Sequence, residues 1–424
     1  MVHSLYDILV LGLNPAWQKV LSFEHFAYGE VNRAHTVREM ASGKGINFAR
    51  AAGIAGHRCA VAQFAGGDTG DALCAALNEW EMPHLTVRTA AVTRTCTTLL
   101  SRDDHAMTEV IEPSGEISCD EVQALREKIA AALSEVKAVA LCGTFPPGVP
   151  PEFYAGVICT AKSHGKLTLL DSYRNVAPAL HVGPFILKIN RKELIELKSR
   201  CSLAEACTPP AARPPGNPNE RVLAQAPTPG HGQSRRDWPY CRCSLAEACT
   251  APAASTGDGT HSGRPPASTA PHTNDSRDGF PAYGHGQSRR DLPYLDAANG
   301  SESVRGEVLA AARGLLGKYP IGYVAVTAGA DVAWLVGRED VCELAPPRLD
   351  NVVNPIGAGD CAAGVMVSRC VERMTEKGID APEGLGFADV RESFREGLAA
   401  ASLSCKKIEP AVFDADEWRA GVHE

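Results

Sequence analysis

Residues 354–370 read NPIGAGDCAAGVMVSRC. Two glycines flank an alanine and lead into an acid, and from the acid onward small and apolar residues continue in a helix-compatible run. A helix beginning here would expose the successive N–H groups of Gly357, Ala358 and Gly359 at its N-terminus, an arrangement suited to an anion. A phosphoryl group in transfer is such an anion. Asp360 would stand beside it as the base that accepts the proton of an attacking hydroxyl. By itself Gly-Ala-Gly-Asp is also an ordinary turn and helix cap, so the reading depends on what surrounds it.

Outward from this segment the chain alternates. DILVLGL (7–13), CAVAQFAG (59–66), VKAVALCG (136–143), KLTLLDS (166–172) and YVAVTAG (323–329) read as strands. GINFARAAGIAG (45–56), GDALCAALNEW (70–80) and VRGEVLAAARGLLGKY (304–319) read as helices. Such alternation predicts an α/β fold with a mostly parallel sheet covered by helices. TCTTLLSRDDHAMTEVIE at 95–112 departs from it. Two β-prone runs joined by a polar turn predict a hairpin outside the main alternation, suited to a lid.

Two further segments carry chemistry. In SGKGINFARAAGIAG (42–56), Lys44 can meet a substrate phosphate and Asn47, on the first turn of a helix, a sugar hydroxyl. The segment is not a Walker A loop, so its lysine need not touch a nucleotide. In KINRKEL (188–194), Asn190 and Glu193 stand three apart, which predicts one face of a helical turn where both could order a magnesium ion's waters.

In this order the three segments resemble the PfkB (ribokinase-like) carbohydrate kinases, most closely the branch holding 1-phosphofructokinase and tagatose-6-phosphate kinase. NPAWQKV, GEVNRA, TRTCTTLL, TEVIEPSG, CGTFPPGVP, LLDS and VTAGADVAWLV extend the likeness along nearly the whole chain. The resemblance implies a three-layer α/β/α sandwich with a small β-sheet lid, whose strands lie near 14–40 and 93–112. It also implies ATP as donor and Mg²⁺. Asp360 matches the family's base, and Gly357, Ala358 and Gly359 its anion hole. Lys188, Asn190, Thr327 and Gly329 match the nucleotide side, and Glu193 completes the N-x-x-E pattern associated with the metal. Gly43, Lys44, Asn47, Arg94 and Thr144 match positions that contact the sugar phosphate. EGLAAASLSCKK (396–407) looks like the helix that walls the adenine pocket, its small side chains permitting close approach.

One departure bears on substrate. Where the branch usually has an Asp that receives sugar hydroxyls, this chain has Gln18. Losing one charge-assisted hydrogen bond costs on the order of 1.5–3 kcal/mol, roughly 10–150-fold in affinity if nothing compensates. The expected activity is phosphorylation of a hexose phosphate, of the fructose 1-phosphate or tagatose 6-phosphate type, to the bisphosphate. A kinase for an unphosphorylated sugar or a nucleoside, and a sugar-phosphate-binding protein without catalysis, remain as alternatives. Two copies could pair through the lid, as in many ribokinase-like proteins.

Composition sets the outer limits. A net charge of -8 and a pI near 5.9 give no overall basic field for nucleic acid or an anionic membrane. No uncharged apolar stretch approaches a membrane span, and the first apolar run reads as a buried strand rather than a signal peptide. A cytoplasmic protein with reduced, buried thiols is the expectation. From 199 to 302 the chain turns rich in Pro, Gly, Ser, Thr and Ala and holds 14 of the 29 prolines. RCSLAEACT (200–208) recurs at 242–250, and GHGQSRRDWPY (230–240) recurs as GHGQSRRDLPY (284–294). Such composition predicts a disordered insertion between two parts of a kinase core, 1–198 and 303–424.

Overall fold

Strands that are apolar on both faces need cover on both, and this requirement sets the layers. The computed structural model describes residues 6–104, 106–206, 297–349 and 351–422. From the N-terminus come β1 (Ile8–Leu11), β2 (Ala16–Phe23), β3 (Thr36–Ser42), α1 (Lys44–Ile54), β4 (Cys59–Ala65) and α2 (Gly67–Glu79). β5 (His84–Arg88), β6 (Thr95–Ser101), β7 (Met107–Ile111), α3 (Cys119–Leu133), β8 (Ala138–Cys142) and α4 (Glu152–Ser163) follow. Next are β9 (Leu167–Asp171), α5 (Ala177–Val182), β10 (Ile186–Asn190), α6 (Arg191–Ala206) and α7 (Ala297–Lys318). β11 (Tyr323–Thr327), β12 (Ala333–Val336), β13 (Val341–Leu344), α8 (Ala358–Lys377), α9 (Phe387–Ser404) and α10 (Ala415–Val422) close the chain.

Nine strands form one sheet in the order β13-β12-β11-β10-β9-β8-β1-β4-β5, parallel from β11 to β5 and antiparallel at β12 and β13. Ile8, Val10, Val61, Ala138, Ala140, Leu167 and Leu169 share one core with Phe48 of α1, Met366 of α8 and Phe394 of α9. The alternate residues Leu9, Leu11, Ala60, Val139, Leu141 and Leu170 are equally buried on the other face. This is the expected three-layer sandwich.

A second sheet, in the order β3-β2-β6-β7, stands apart from the first. β2 and β6 run parallel at its centre, with β3 and β7 antiparallel on the edges. The 95–112 segment is its hairpin, closed by Leu100 opposite Met107.

The chain divides into two units. The first holds 1–243 and 306–424; of the second, 244–305, only the start of α7 is described. The break in composition at 199 falls inside α6, because SLAEA is made of good helix formers. From 207 to 296 the expected insertion and its cysteines lie outside the described residues. The ten described cysteines outside α6 are free thiols, and no helix among the described residues is long and apolar enough to cross a membrane.

Candidate active site

Because the central strands are parallel, their carboxyl ends share one edge of the sheet, where α/β proteins bind ligands. Asp171 ends β9, Asn190 ends β10 and Thr327 ends β11, while Gly143 and Thr144 follow β8. α1 and α8 bring Lys44 and Asp360 in their first turns.

Asp171 is the hub. Its Oδ1 accepts from Lys44 Nζ at 2.9 Å and its Oδ2 from Lys188 Nζ at 3.0 Å. Burial opposes its ionisation, but Lys188 and Lys44 outweigh that and hold its carboxyl below the usual range. Lys188 is buried, whereas 34% of the Lys44 side chain is exposed, with Glu193 Oε1 3.6 Å from its Nζ. Burial works against the Lys44 charge, yet Asp171, Asp360 and Glu193 together raise its pKa above that of an ordinary lysine.

Asp360 is also buried. Asn47 Nδ2 donates to its Oδ2 at 2.9 Å, and Ser42 Oγ donates to Asn47 Oδ1 at 3.3 Å, which fixes the amide's direction. Burial pushes the Asp360 carboxyl up to about 6; Lys44 pulls it down, Asp171 pushes it up, and Lys188 and Asn47 pull it down again. Asp360 and Asp171 are thus two acids driven apart by unlike surroundings. Such a split is what general-base chemistry near neutral pH requires.

The glycine turn abuts this pair. Gly357 opens α8 at φ 74°, a left-handed backbone that glycine adopts without strain. A side chain on it would start 3.2 Å from Asn47 Nδ2, and one on Gly359 only 2.8 Å from Lys188 Nζ. A methyl group at 359 would therefore displace the Lys188 ammonium.

Asn190 and Glu193 are close together, but not as two side chains on one helical face. Asn190 is the last strand residue, so its Oδ1 accepts from Glu193 N at 2.9 Å while Asn190 N donates to Glu193 Oε2 at 3.1 Å. This reciprocal cap leaves Glu193 Oε1 turned toward Lys44. Thr327 lies beside Asn190 in register, and Gly329 takes φ 66° in the turn after β11.

Arg94 and Thr144 form a second group through Asn14. Asn14 Nδ2 donates to Thr144 Oγ1 at 3.3 Å, Ser114 Oγ donates to Asn14 Oδ1 at 2.9 Å, and Arg94 Nη2 donates to the Asn14 carbonyl at 3.2 Å. Arg94 Nε is buried without a partner among the described residues. Gly43, at φ 119°, would bring a side chain within 3.0 Å of Pro15 Cα. Gln18 joins neither group: its Nε2 donates to Thr98 Oγ1 at 2.8 Å, inside the small sheet. In α9, a side chain on Gly397 would meet the Ala362 carbonyl at 2.4 Å, so its small size serves packing against α8.

LLDS, NPAWQKV and TEVIEPSG contain Asp171, Asn14 and Ser114, but the sequence alone gives none of the three a role. An acid closing an apolar strand was the available signal for Asp171.

The pfkB family of carbohydrate kinases matches residues 7–226 and 296–415. Among solved structures, Escherichia coli phosphofructokinase-2 superposes with TM-score 0.65 at 19% identity, covering 99% of this chain and 100% of that one. A ribokinase from Giardia lamblia gives 0.63 at 15% identity, with 98% and 99% covered. A protein from Thermotoga maritima, described as a possible 1-phosphofructokinase, gives 0.60 at 14% identity, with 99% and 98% covered. At such identities these likenesses speak for the fold, and the family match speaks for the chemistry. The chain belongs to the pfkB family of carbohydrate kinases, phosphotransferases that act on a sugar hydroxyl.

Proposed function

We propose that this kinase transfers the terminal phosphoryl group of ATP to a hydroxyl of a ketohexose monophosphate, of the fructose 1-phosphate or tagatose 6-phosphate type, giving a bisphosphate. One observation carries the reading: Asp171 holds two lysines together beside a raised carboxylate, Asp360. Two ammoniums around one base suit a site that takes an anionic donor and an anionic acceptor together. Escherichia coli phosphofructokinase-2, similar in fold, has been solved with fructose 6-phosphate.

In this reading Asp360 takes the proton of the acceptor hydroxyl, and that oxygen forms a bond to the phosphorus as the bond to the departing ADP oxygen breaks. The Gly357, Ala358 and Gly359 amides receive the charge on the phosphoryl oxygens, and Lys188, beside Gly359, adds a cation. Asn47 keeps the base aimed. Lys44, Arg94 and Thr144 lie on the acceptor side with Gly43. Asn190, Thr327 and Gly329 lie on the nucleotide side. Gln18 would meet a sugar hydroxyl only through Oε1 and only from the small sheet, since Nε2 is engaged there by Thr98.

Among the described residues no three acids, histidines or cysteines form a metal cage. The single carboxylate of Glu193 still fits Mg²⁺ arriving on nucleotide phosphates, because that ion keeps most of its waters. Glu193 and Asn190 would hold it through water, and it would neutralise phosphate charge. The protein acts in the cytoplasm, on a small molecule rather than on nucleic acid or membrane. Exposed Val37, Met107, Val110 and Ile111 on the edge strands of the small sheet support a homodimer formed there.

The test is coupled ADP release with Mg-ATP against fructose 1-phosphate, fructose 6-phosphate, tagatose 6-phosphate, fructose, ribose and adenosine. Turnover with a sugar phosphate is expected. Turnover with only the free sugars or adenosine would move the assignment to an unphosphorylated acceptor, and ATP binding without any turnover would leave a non-catalytic protein.

A further inference from the structure

The turn that precedes Asp360 is held from outside its own helix. Val353 N and Asn354 N donate to the Cys405 carbonyl at 2.8 and 3.1 Å, and Asn354 Nδ2 donates to the Ile408 carbonyl at 2.7 Å. Asn354 Oδ1 accepts from Ile356 N at 3.0 Å. Behind Gly357, Pro410 Cβ and Ala411 N lie 2.9 and 3.3 Å from where a side chain would start. The loop 405–411 is therefore the back wall of the glycine turn. Ala411 is fully buried at φ 56°, a left-handed backbone that persists in a non-glycine residue only when its surroundings enforce it.

Arg50 ties that loop to α1. Its Nη2 lies 2.7 Å from Glu409 Oε2, and its guanidinium stacks over the Trp80 ring, 4.2 Å from the centroid. The Arg50 side chain is 13% exposed against 52% for Glu409, so the partly buried cation reaches out to fix a surface loop. Arg50 Nη1 is buried without a hydrogen-bond partner among the described residues, which leaves Glu409 as the acid that answers its charge. The contact with Trp80 packs the Arg50 cation against the ring on one side while Glu409 answers its charge.

Asn47 and Arg50 are three residues apart on α1. Asn47 locates the Asp360 carboxylate, and Arg50, through Glu409, locates the wall behind the glycine amides. One helix thus references both the base and the anion hole. We propose that Arg50 is a positioning residue for phosphoryl transfer, fixing loop 405–411 behind Gly357 without touching substrate. This rests on the kinase reading above. A misplacement of about 1 Å between reacting groups can cost ~100-fold in rate.

The experiment uses the full chain with Arg50→Met, Glu409→Gln, the double variant and Arg50→Lys. Each of the first two should lower kcat roughly 10–100-fold with KM for sugar phosphate and ATP within about threefold. The double variant should be no worse than the poorer single, and Arg50→Lys, which keeps a cation for Glu409, should recover most of the loss. Amide hydrogen exchange without substrate should speed up in 353–360 and 405–411 in Arg50→Met, while α3 and β8 keep wild-type protection. Unchanged exchange in 353–360 overturns the proposal whatever the activity. So does a lower melting temperature with kcat per folded molecule unchanged. If the wild type turns over no sugar while Arg50→Met still loosens 353–360, the kinase reading fails and the tie itself stands.

Discussion

Asp171 reaches neither sugar nor nucleotide in the proposed reaction, yet Lys44 and Asp360 both take their electrostatic state partly from it, and Lys188 Nζ donates to it. No sequence spacing announces this, because positions 44, 171 and 188 converge only once α1, β9 and β10 are side by side. Asp360 was legible because GAGD compresses turn, amides and acid into four residues. Asp360→Asn should bind ATP nearly as the wild type does while losing roughly 10²–10⁴-fold in turnover. Isothermal titration beside the coupled assay separates the two, and a loss under about tenfold would mean that another group is the base. The acid pushed up to about 6 gives a second expectation. Only its ionised form accepts a proton, so kcat/KM should fall as pH drops through about 6, tenfold per unit below it. Asp171 is one of the charges that raise it, so Asp171→Asn should move this limb to lower pH; movement upward would contradict the assignment. That variant also strands Lys188 in the interior, at a cost on the order of 3–5 kcal/mol, readable by urea unfolding.

At the scale of elements, what the residues say depends on where each element ends. The apolar runs of β1, β4 and β8 were legible as buried strands because four or five consecutive apolar residues bounded by turns are too short for a helix and suit a strand covered on both faces. Asn190 and Glu193 misled for the opposite reason: an interval of three suits a helical face and a helix cap equally, and only the end of β10 decides for the cap. Gly397, within the 396–407 segment, shows how a glycine on a helix signals close approach without naming the neighbour, here Ala362. The small sheet is the element with most left to explain. Its edge strands β3 and β7 present Val37, Val110 and Ile111, each 55% exposed. An exposed apolar edge invites pairing with another chain. Light scattering should therefore find a dimer, and Val37→Lys with Val110→Lys should shift it toward monomer. A wild type that stays monomeric at every concentration would refute pairing through this sheet.

For the molecule as a whole, the question is how one site survives a break in the chain that carries it. Asp171, Lys188 and Glu193 precede residues 207–296, whereas Thr327 and Asp360 follow them, and β10 pairs with β11 across that interval. The family match spans both sides, pausing between 226 and 296. The skipped stretch is polar and proline-rich, with little to add to a core, and includes the second RCSLAEACT and both GHGQSRRD copies. Closure entropy grows only with the logarithm of length, about 0.6 kcal/mol per doubling, so such a connection weighs lightly on a sheet that is otherwise complete. Replacing 227–295 by a short Gly-Ser linker should therefore leave kcat/KM within about threefold and the thermal midpoint unchanged or slightly raised. Both are to be measured on the same preparation, because they separate two ways of being wrong. A folded but inactive variant would mean that the repeats act on the site, and an insoluble one would mean that they belong to the fold.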